Sequence, residues 1–355
     1  MKRAYVEINL TKYAENINRF RTIIPAETKL MAVVKADAYG HGANEISDVA
    51  VANGIDYLGV AWVSEAIALR EAGIKSPILI LSEPTINIAA DIVRLDVTQT
   101  VYTLNFARAL SDAAKQFNKI AKIHIKIDTG MNRIGVNGDE ATLLVEQIHE
   151  LDNIFIEGVF THFAKADTID DNYTLQQVKQ FTEIVTSLEK KGYSFPIKHC
   201  ANTAGTFNYP SAHVNMVRVG IGSYQDVLTF KSRIAYVKRV PKDSYVSYSC
   251  SYKTEKETTI ATLSVGYADG LVRALSNKGH VIVNGKKYPI VGRICMDMTM
   301  IDLGDDIYHV GEEVILIGSQ GSETISVEEV AELAGTISYE ILCGIGKRVN
   351  RIYHY

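Results

Sequence analysis

One lysine, Lys35, stands where an apolar stretch runs into a glycine-rich, tyrosine-bearing turn, in AVVKADAYGHG (32–42). A lysine at the mouth of a buried strand loses part of its hydration. That loss lowers its pKa from about 10.4 and makes the neutral amine available as a nucleophile toward an aldehyde. This is the chemistry of a Schiff-base lysine. A lysine that ends a strand can equally reach into water, so the residue type alone decides nothing. Further groups able to bind anions or move protons are spread along the chain: Lys126, Asp128 and Arg133 in KIDTGMNRIG, His162 in FTHF, Arg218 in NMVRVGIGSY, and Tyr248 in VSYSCSY.

Something must gather residues so far apart. Between residue 30 and about 220, short β-rich runs alternate with stretches whose apolar residues recur every three or four positions, which predicts parallel strands joined by crossover helices. Strands are expected over 31–34, 57–61, 78–81, 97–102, 122–128, 155–162, 197–200 and 214–218, with helices over 64–72, 104–117, 141–149 and 172–191. Eight strand slots predict a (β/α)8 barrel of the TIM type. In that fold the active site gathers where strands pass into the following loops, and Lys35, Arg133, His162, Asn202, Thr203 and Arg218 all fall at such handovers. No G-x-G-x-x-G opens a helix after the first strand, so an open dinucleotide-binding sheet is the weaker alternative.

Beyond about residue 230 the crossover pattern stops. HVIVNGKKYPIVGR (280–293) reads as a hairpin, with Asn284–Gly285 supplying the positive φ angles of a tight turn. Strands are also expected over 258–265 and 313–317, and only 326–333 reads as a helix. The expected organisation is a barrel domain over 10–229 followed by a mostly β domain over 230–355, joined by the amino-terminal strand within 1–9.

With 37 Lys and Arg against 41 acids and a net charge of −4, the chain has no basic excess of the kind that binds nucleic acid or a membrane surface. MKRAYVEINL lacks the apolar core of a signal peptide, and no apolar run approaches the roughly 18 residues of a spanning helix. A cytoplasmic enzyme is expected. Cys200, Cys250, Cys295 and Cys343 form no C-x-x-C pair and the nine histidines no metal-binding motif, so free, buried thiols and no structural metal are expected.

The run AVVKADAYGHG resembles the pyridoxal-phosphate attachment motif of the alanine racemase family, and the resemblance continues along nearly the whole chain. AYVEINL, KIDTGMNRIG, FTHF, HCANTAG, NMVRVGIGSY, VSYSCSY, SVGYADG, VGRICMDM, TISYE and NRIYHY follow in the family's order. The resemblance implies that Lys35 carries pyridoxal 5′-phosphate and also serves as one of two acid/base groups. Racemisation removes a proton from one face of a carbon and returns it to the other, so a second group must stand opposite. By resemblance this is Tyr248 of the other subunit of a homodimer, linked by hydrogen bonds to His162 and Arg218. A phenol titrates near pH 10, so bringing one to pH 7 takes about 4 kcal/mol of differential stabilisation.

The resemblance gives Arg218 a hydrogen bond to the cofactor's pyridine nitrogen. A guanidinium only donates, so it leaves that nitrogen unprotonated and weakens the ring as an electron sink. Tyr39, Asn202, Thr203, Gly220, Ile221 and Tyr339 are implied around the cofactor and its phosphate. Arg133 and Tyr267, and from the partner subunit Met296, Cys295 and Asp297, are implied around the substrate, and Lys126 matches a lysine often carbamylated in the family. Ser249, Gln225 and Asn350 depart from it, standing where glycine, glycine and proline are usual. The implied activity is interconversion of L- and D-alanine for peptidoglycan. A serine or broader-specificity racemase is the alternative; the serine-racemising relatives carry asparagine at the position of Tyr339.

Overall fold

The computed structural model describes residues 2–355, and the chain divides into two compact units. Along the chain, strand β1 is Ala4–Asn9 and β2–β9 are Lys29–Val33, Tyr57–Val60, Ile78–Ile80, Thr98–Val101, Ala121–Lys126, Ile154–Phe160, Ile197–His199 and Met216–Val219.

The unit formed by Ala14–Ala38 and Ala43–Ser223 contains β2–β9, an eight-stranded parallel sheet in the order β8-β7-β6-β5-β4-β3-β2-β9. The seam between β8 and β9 is crossed by the Asn215 N–H on the Lys198 carbonyl (3.4 Å) and the Arg218 N–H on the Ala201 carbonyl (3.0 Å), which all but closes the barrel. The eight strands expected from sequence are the eight observed. Their side chains are buried on both faces, as Tyr57–Val60, Ile78–Ile80 and Met216–Val219 show, because helices cover the outside and side chains fill the inside. The helix Leu104–Gln116 buries Phe106, Ala107, Leu110, Ala113 and Ala114, one stripe at helical spacing, and Thr103 caps its start by accepting from the Phe106 N–H. Asp171 likewise caps the helix Asn172–Lys190, accepting from Tyr173 and Thr174.

The other unit comprises Met1–Tyr13, Tyr39–Gly42 and Tyr224–Tyr355. Its strands are β10 (Leu228–Val240), β11 (Tyr245–Val246), β12 (Tyr252–Lys253), β13 (Thr258–Leu263), β14 (His280–Val283), β15 (Lys286–Pro289), β16 (Thr299–Gly304), β17 (Glu313–Gln320), β18 (Glu323–Ile325) and β19 (Asn350–His354). β10 is the organiser, with β1, β13 and β17 all antiparallel to parts of it. The amino-terminal strand joins this sheet, lying between β10 and β19. The hairpin β14–β15 turns at Asn284 (φ 47°) and Gly285 (φ 75°), with Val283 opposite Lys286.

Two expectations need correction. The stretch after 230 holds a second helix, Ser338–Cys343, beside Val327–Ala334. Six residues are too few to show periodicity, and β-branched Thr336 and Ile337 precede them. Of the cysteines only Cys200 is buried; Cys250 and Cys343 are exposed and Cys295 is half-buried, because they sit in loops and on a short surface helix, not in the core. Among the described residues no helix is long and apolar enough to cross a membrane.

Candidate active site

Lys35 follows directly on β2, and the chain after it does something unusual. Ala36, Asp37, Ala38 and Tyr39 have φ between 52° and 55°, and Gly40 follows at 82°, a complete left-handed turn. Non-glycine residues resist this conformation by roughly 1–2 kcal/mol each, so the surroundings must impose it. Within the barrel unit they do so through two carboxylates. Glu65 accepts the Ala36 N–H (2.6 Å) together with those of Ala61 and Trp62, and Asp37 accepts the Ala43 N–H (2.8 Å). In the other unit, Gly40 packs so tightly on the Leu342 carbonyl that a Cβ would come within 2.5 Å, and its own carbonyl accepts two N–H groups of Arg351. Strain fixes the reach of the residue that the sequence marks as reactive.

Across the barrel mouth, β9 delivers Arg218, only 4% exposed. Its Nη1 donates to His199 Nδ1 (2.9 Å). Its Nη2 meets the Thr161 carbonyl (2.9 Å), the Cys200 carbonyl (3.1 Å) and His162 Nδ1 (3.2 Å). Because a guanidinium can only donate, His162 must accept at Nδ1 and carry its proton on Nε2. Burial first, and then the charges of Arg218, Arg133, Lys126 and Lys35, hold the His162 pKa well below the usual imidazole range. A neutral imidazole amid four cations is the electrostatic signature of this mouth.

Lys126, at the end of β6, is 2% exposed, and its ammonium donates to the carbonyls of Ile127 (2.7 Å) and Ile134 (3.3 Å). Burial lowers its pKa to about 8, with Arg218 and Arg133 adding to the effect and Asp128 opposing it. Asp128 itself folds the following loop by accepting the N–H groups of Gly130 and Asn132. Arg133 lies exposed on that loop. Gln177 bridges the Thr129 hydroxyl and the His162 carbonyl, so the loops after β6 and β7 are tied together. After β8, Asn202 caps a short helix and the Thr203 hydroxyl accepts the Gly220 N–H (2.9 Å), which leaves its own proton to donate. A Cβ on Gly222 would come within 2.5 Å of Thr203 Cγ2, so only glycine lets the turn containing Gly220 and Ile221 approach this closely. Lys35, Lys126, Arg133, His162, Asn202, Thr203, Arg218, Gly220 and Ile221 thus share the barrel unit.

The remaining predicted residues belong to the β unit. Tyr39 is buried with its ring 5.0 Å from Tyr224 and 6.0 Å, edge-on, from Tyr339. Tyr248 stands 70% exposed on a groove of about 670 Å³ that also includes Val246, Cys295, Met296, Asp297 and Met300. Tyr267 and Ala268 donate their N–H groups to the carbonyls of Cys295 (3.0 Å) and Met296 (3.0 Å), so the two predicted substrate loops are stitched side by side.

Sequence reasoning missed the residues behind this arrangement. Asp269 is fully buried and accepts from both Arg3 (2.6 and 2.9 Å) and Arg348 (2.7 Å), while Arg348 also pairs with Asp297. Glu65, which holds the turn after Lys35, looked like an ordinary helix residue. Behind Arg218 lie His199, His124 and Glu157. The signal for these was present: in KIHIKID, His124 and Lys126 alternate with isoleucines on a strand buried on both faces, and a polar residue at such a position needs a partner.

A lysine, two arginines and a neutral histidine at the carboxyl ends of barrel strands define an enzyme of the (β/α)8 class, with a β unit attached. Comparison with known proteins narrows this further. The model of the alanine racemase N-terminal domain matches residues 8–227, and that of the C-terminal domain matches 227–353. The chain belongs to the alanine racemase family. It is 44% identical to alanine racemase 1 of Oceanobacillus iheyensis over 99% of this chain and 98% of that one. Its structure matches the alanine racemase of Bacillus anthracis with bound L-Ala-P (TM-score 0.95, 35% identity, 100% and 96% coverage). It also matches that of Bartonella henselae with covalently bound pyridoxal phosphate (TM-score 0.90, 27% identity, 100% of both chains).

Proposed function

We propose that this chain is a pyridoxal-phosphate-dependent racemase that interconverts L- and D-alanine. It acts as a cytoplasmic homodimer with shared active sites and supplies D-alanine for peptidoglycan. The observation that carries the reading is the cationic mouth, in which Lys35, Lys126, Arg133 and Arg218 all bear on one neutral histidine. Such a mouth favours an anionic ligand, and the donor set suits this cofactor: a lysine amine for its aldehyde, and the Thr203 hydroxyl with backbone N–H groups near Gly220 and Ile221 for its phosphate. Arg218 fits as well, since Nη1 and Nη2 are engaged and Nε makes none of their contacts.

When bound, pyridoxal phosphate supplies an electron-withdrawing ring that acidifies the substrate's Cα–H. Lys35 holds the cofactor and moves a proton between its Nζ and one face of Cα. Tyr248 of a second copy moves a proton between its Oη and the opposite face. His162, with its proton on Nε2, is a donor able to stabilise the phenolate of that tyrosine. Arg218 in turn keeps His162 in the required tautomer, because Nδ1 is occupied as an acceptor. Arg133 and, from the second copy, the Met296 N–H hold the substrate carboxylate, and the family resemblance adds Tyr39 and Tyr339 on the phosphate side.

Borohydride reduction of the purified yellow protein followed by peptide mapping, together with optical measurement of alanine racemisation, tests this reading. Label on Lys35 and conversion of either enantiomer are expected. Label on another lysine would refute the site.

A further inference from the structure

Arg218 is a buried cation whose four acceptors are all uncharged: two carbonyls and two imidazoles. A buried charge without a counter-charge is costly, so the path leading away from it matters. Nη1 donates to His199 Nδ1 (2.9 Å), which forces the His199 proton onto Nε2. That nitrogen lies 2.8 Å from His124 Nδ1, so His124 in turn must carry its proton on Nε2. His124 Nε2 lies 3.2 Å from Glu157 Oε2, where the line ends on a carboxylate. Thr98 also donates to this carboxylate (3.1 Å), and Tyr57 is hydrogen-bonded to it. His124 and His199 are fully buried, and His199 is stacked flat on Phe160 at 4.6 Å.

Burial pushes the Glu157 carboxyl up, yet the donors from His124, Tyr57 and Thr98 outweigh it and hold the group below its ordinary value. Burial likewise lowers both histidines, so they remain neutral links. The result is an ion pair stretched across three hydrogen bonds. A carboxylate placed directly on Arg218 would cancel its field at the mouth, whereas one set two imidazoles away offsets the burial of the cation and leaves that field largely in place.

We propose that Glu157 is a positioning residue for the site: at the end of a relay whose direction Arg218 fixes, it supplies through His124 and His199 the remote counter-charge that holds Arg218 charged and in one orientation. Only the kinetic part of the test rests on the racemase reading. The holoenzyme, labelled with nitrogen-15 at histidine, reports tautomers by NMR. His124 and His199 should both be neutral and protonated on Nε2 at neutral pH; an Nδ1–H tautomer or an imidazolium at either position would overturn the relay. Glu157→Gln keeps an acceptor but removes the charge. It should leave both Nε2–H tautomers in place, because Arg218 still donates to His199, and lower kcat for alanine by about tenfold, a loss of the size seen when outer partners of active-site groups are removed, with KM within about twofold. Glu157→Asp, which restores the charge, should recover most of that loss. Wild-type kcat in Glu157→Gln, or equal losses in both variants, would overturn the proposal. Should the wild-type protein fail to racemise alanine, the functional reading falls while the tautomers still decide the relay. If Glu157→Gln does not fold, the wild-type spectrum and Glu157→Asp carry the test.

Discussion

At the scale of single residues, the predicted chemistry depends on side chains whose surroundings alter them. Lys126 is the sharpest case, because burial brings its pKa to about 8 and the neutral amine is the form that takes up carbon dioxide as a carbamate. Lys126 carbamylation should therefore increase as pH rises through about 8, the reverse of what loss of bound anion would give. Carbon-13 NMR with labelled bicarbonate measures this directly, and silence across that range would eliminate the modification. Tyr339 bears on substrate choice. Its ring stands 41% exposed beside Tyr39, a bulky face that leaves room for a methyl group but offers little to a hydroxymethyl. A pocket of that kind rejects an added hydroxyl by only about 10²-fold. Alanine should be preferred with serine still turned over, and Tyr339→Asn should move the ratio of kcat/KM toward serine. Equal turnover of the two by the unaltered protein would contradict the alanine assignment.

Elements carry the second kind of information, which is strain. Ser249, beside Tyr248, holds φ 61° and ψ 14°, the left-handed region that glycine enters freely, and Cys250 follows at φ 50°. The serine therefore holds, at a steric cost, a conformation open without cost to the glycine that the resemblance makes usual here. Ser249→Gly should raise stability by about 0.5–1 kcal/mol in urea unfolding at fixed protein concentration, less whatever glycine adds to the freedom of the unfolded chain. A drop in stability would show that the hydroxyl makes a contact worth more than the strain. The turn after Lys35 is the same principle on a larger scale. Its helix-like run KADAYG is legible, but its left-handedness is not, because four non-glycine residues give no local reason for it. The carboxylates of Glu65 and Asp37, and the close packing of Gly40, provide that reason only once the chain has folded.

Predictions at the scale of the whole molecule concern assembly and acid. Lys35→Ala and Tyr248→Phe proteins should each be inactive alone. Mixed under conditions of subunit exchange, half the dimers are hybrids with one intact shared site in two, so about a quarter of wild-type activity should return. Demonstrated exchange without rescue would mean that the two residues act within one subunit. For acid, His124 and His199 are both fully buried with pKa values lowered by that burial. Their folded pKa lies below the unfolded value of about 6.5, so neither affects stability above that pH. Below it the unfolded chain binds protons that the folded one refuses. Stability should fall as pH drops beneath about 6.5, by about 1.4 kcal/mol per pH unit for each histidine in its window. Urea unfolding at several pH values reads the slope, and a flat profile down to pH 5 would show that these imidazoles are not held neutral.

The barrel strands were legible in the sequence because burial on two faces demands near-continuous apolar runs, and the crossover helices because one apolar stripe recurs at their spacing. Lys35, Lys126, His162 and Arg218 stand at or just past the ends of barrel strands, where the sequence puts them. Their partners were not. Asp269 with Arg3 and Arg348, Glu65 with Ala36, and Glu157 with His124 are joined across 29 to 266 positions of chain. Nothing local distinguishes these acids from solvated ones. Whether a carboxylate buried in the fold meets a donor is decided by the packing of distant segments, and that same packing sets the tautomer of His162, the lowered pKa of Lys126 and the handedness of the turn after Lys35.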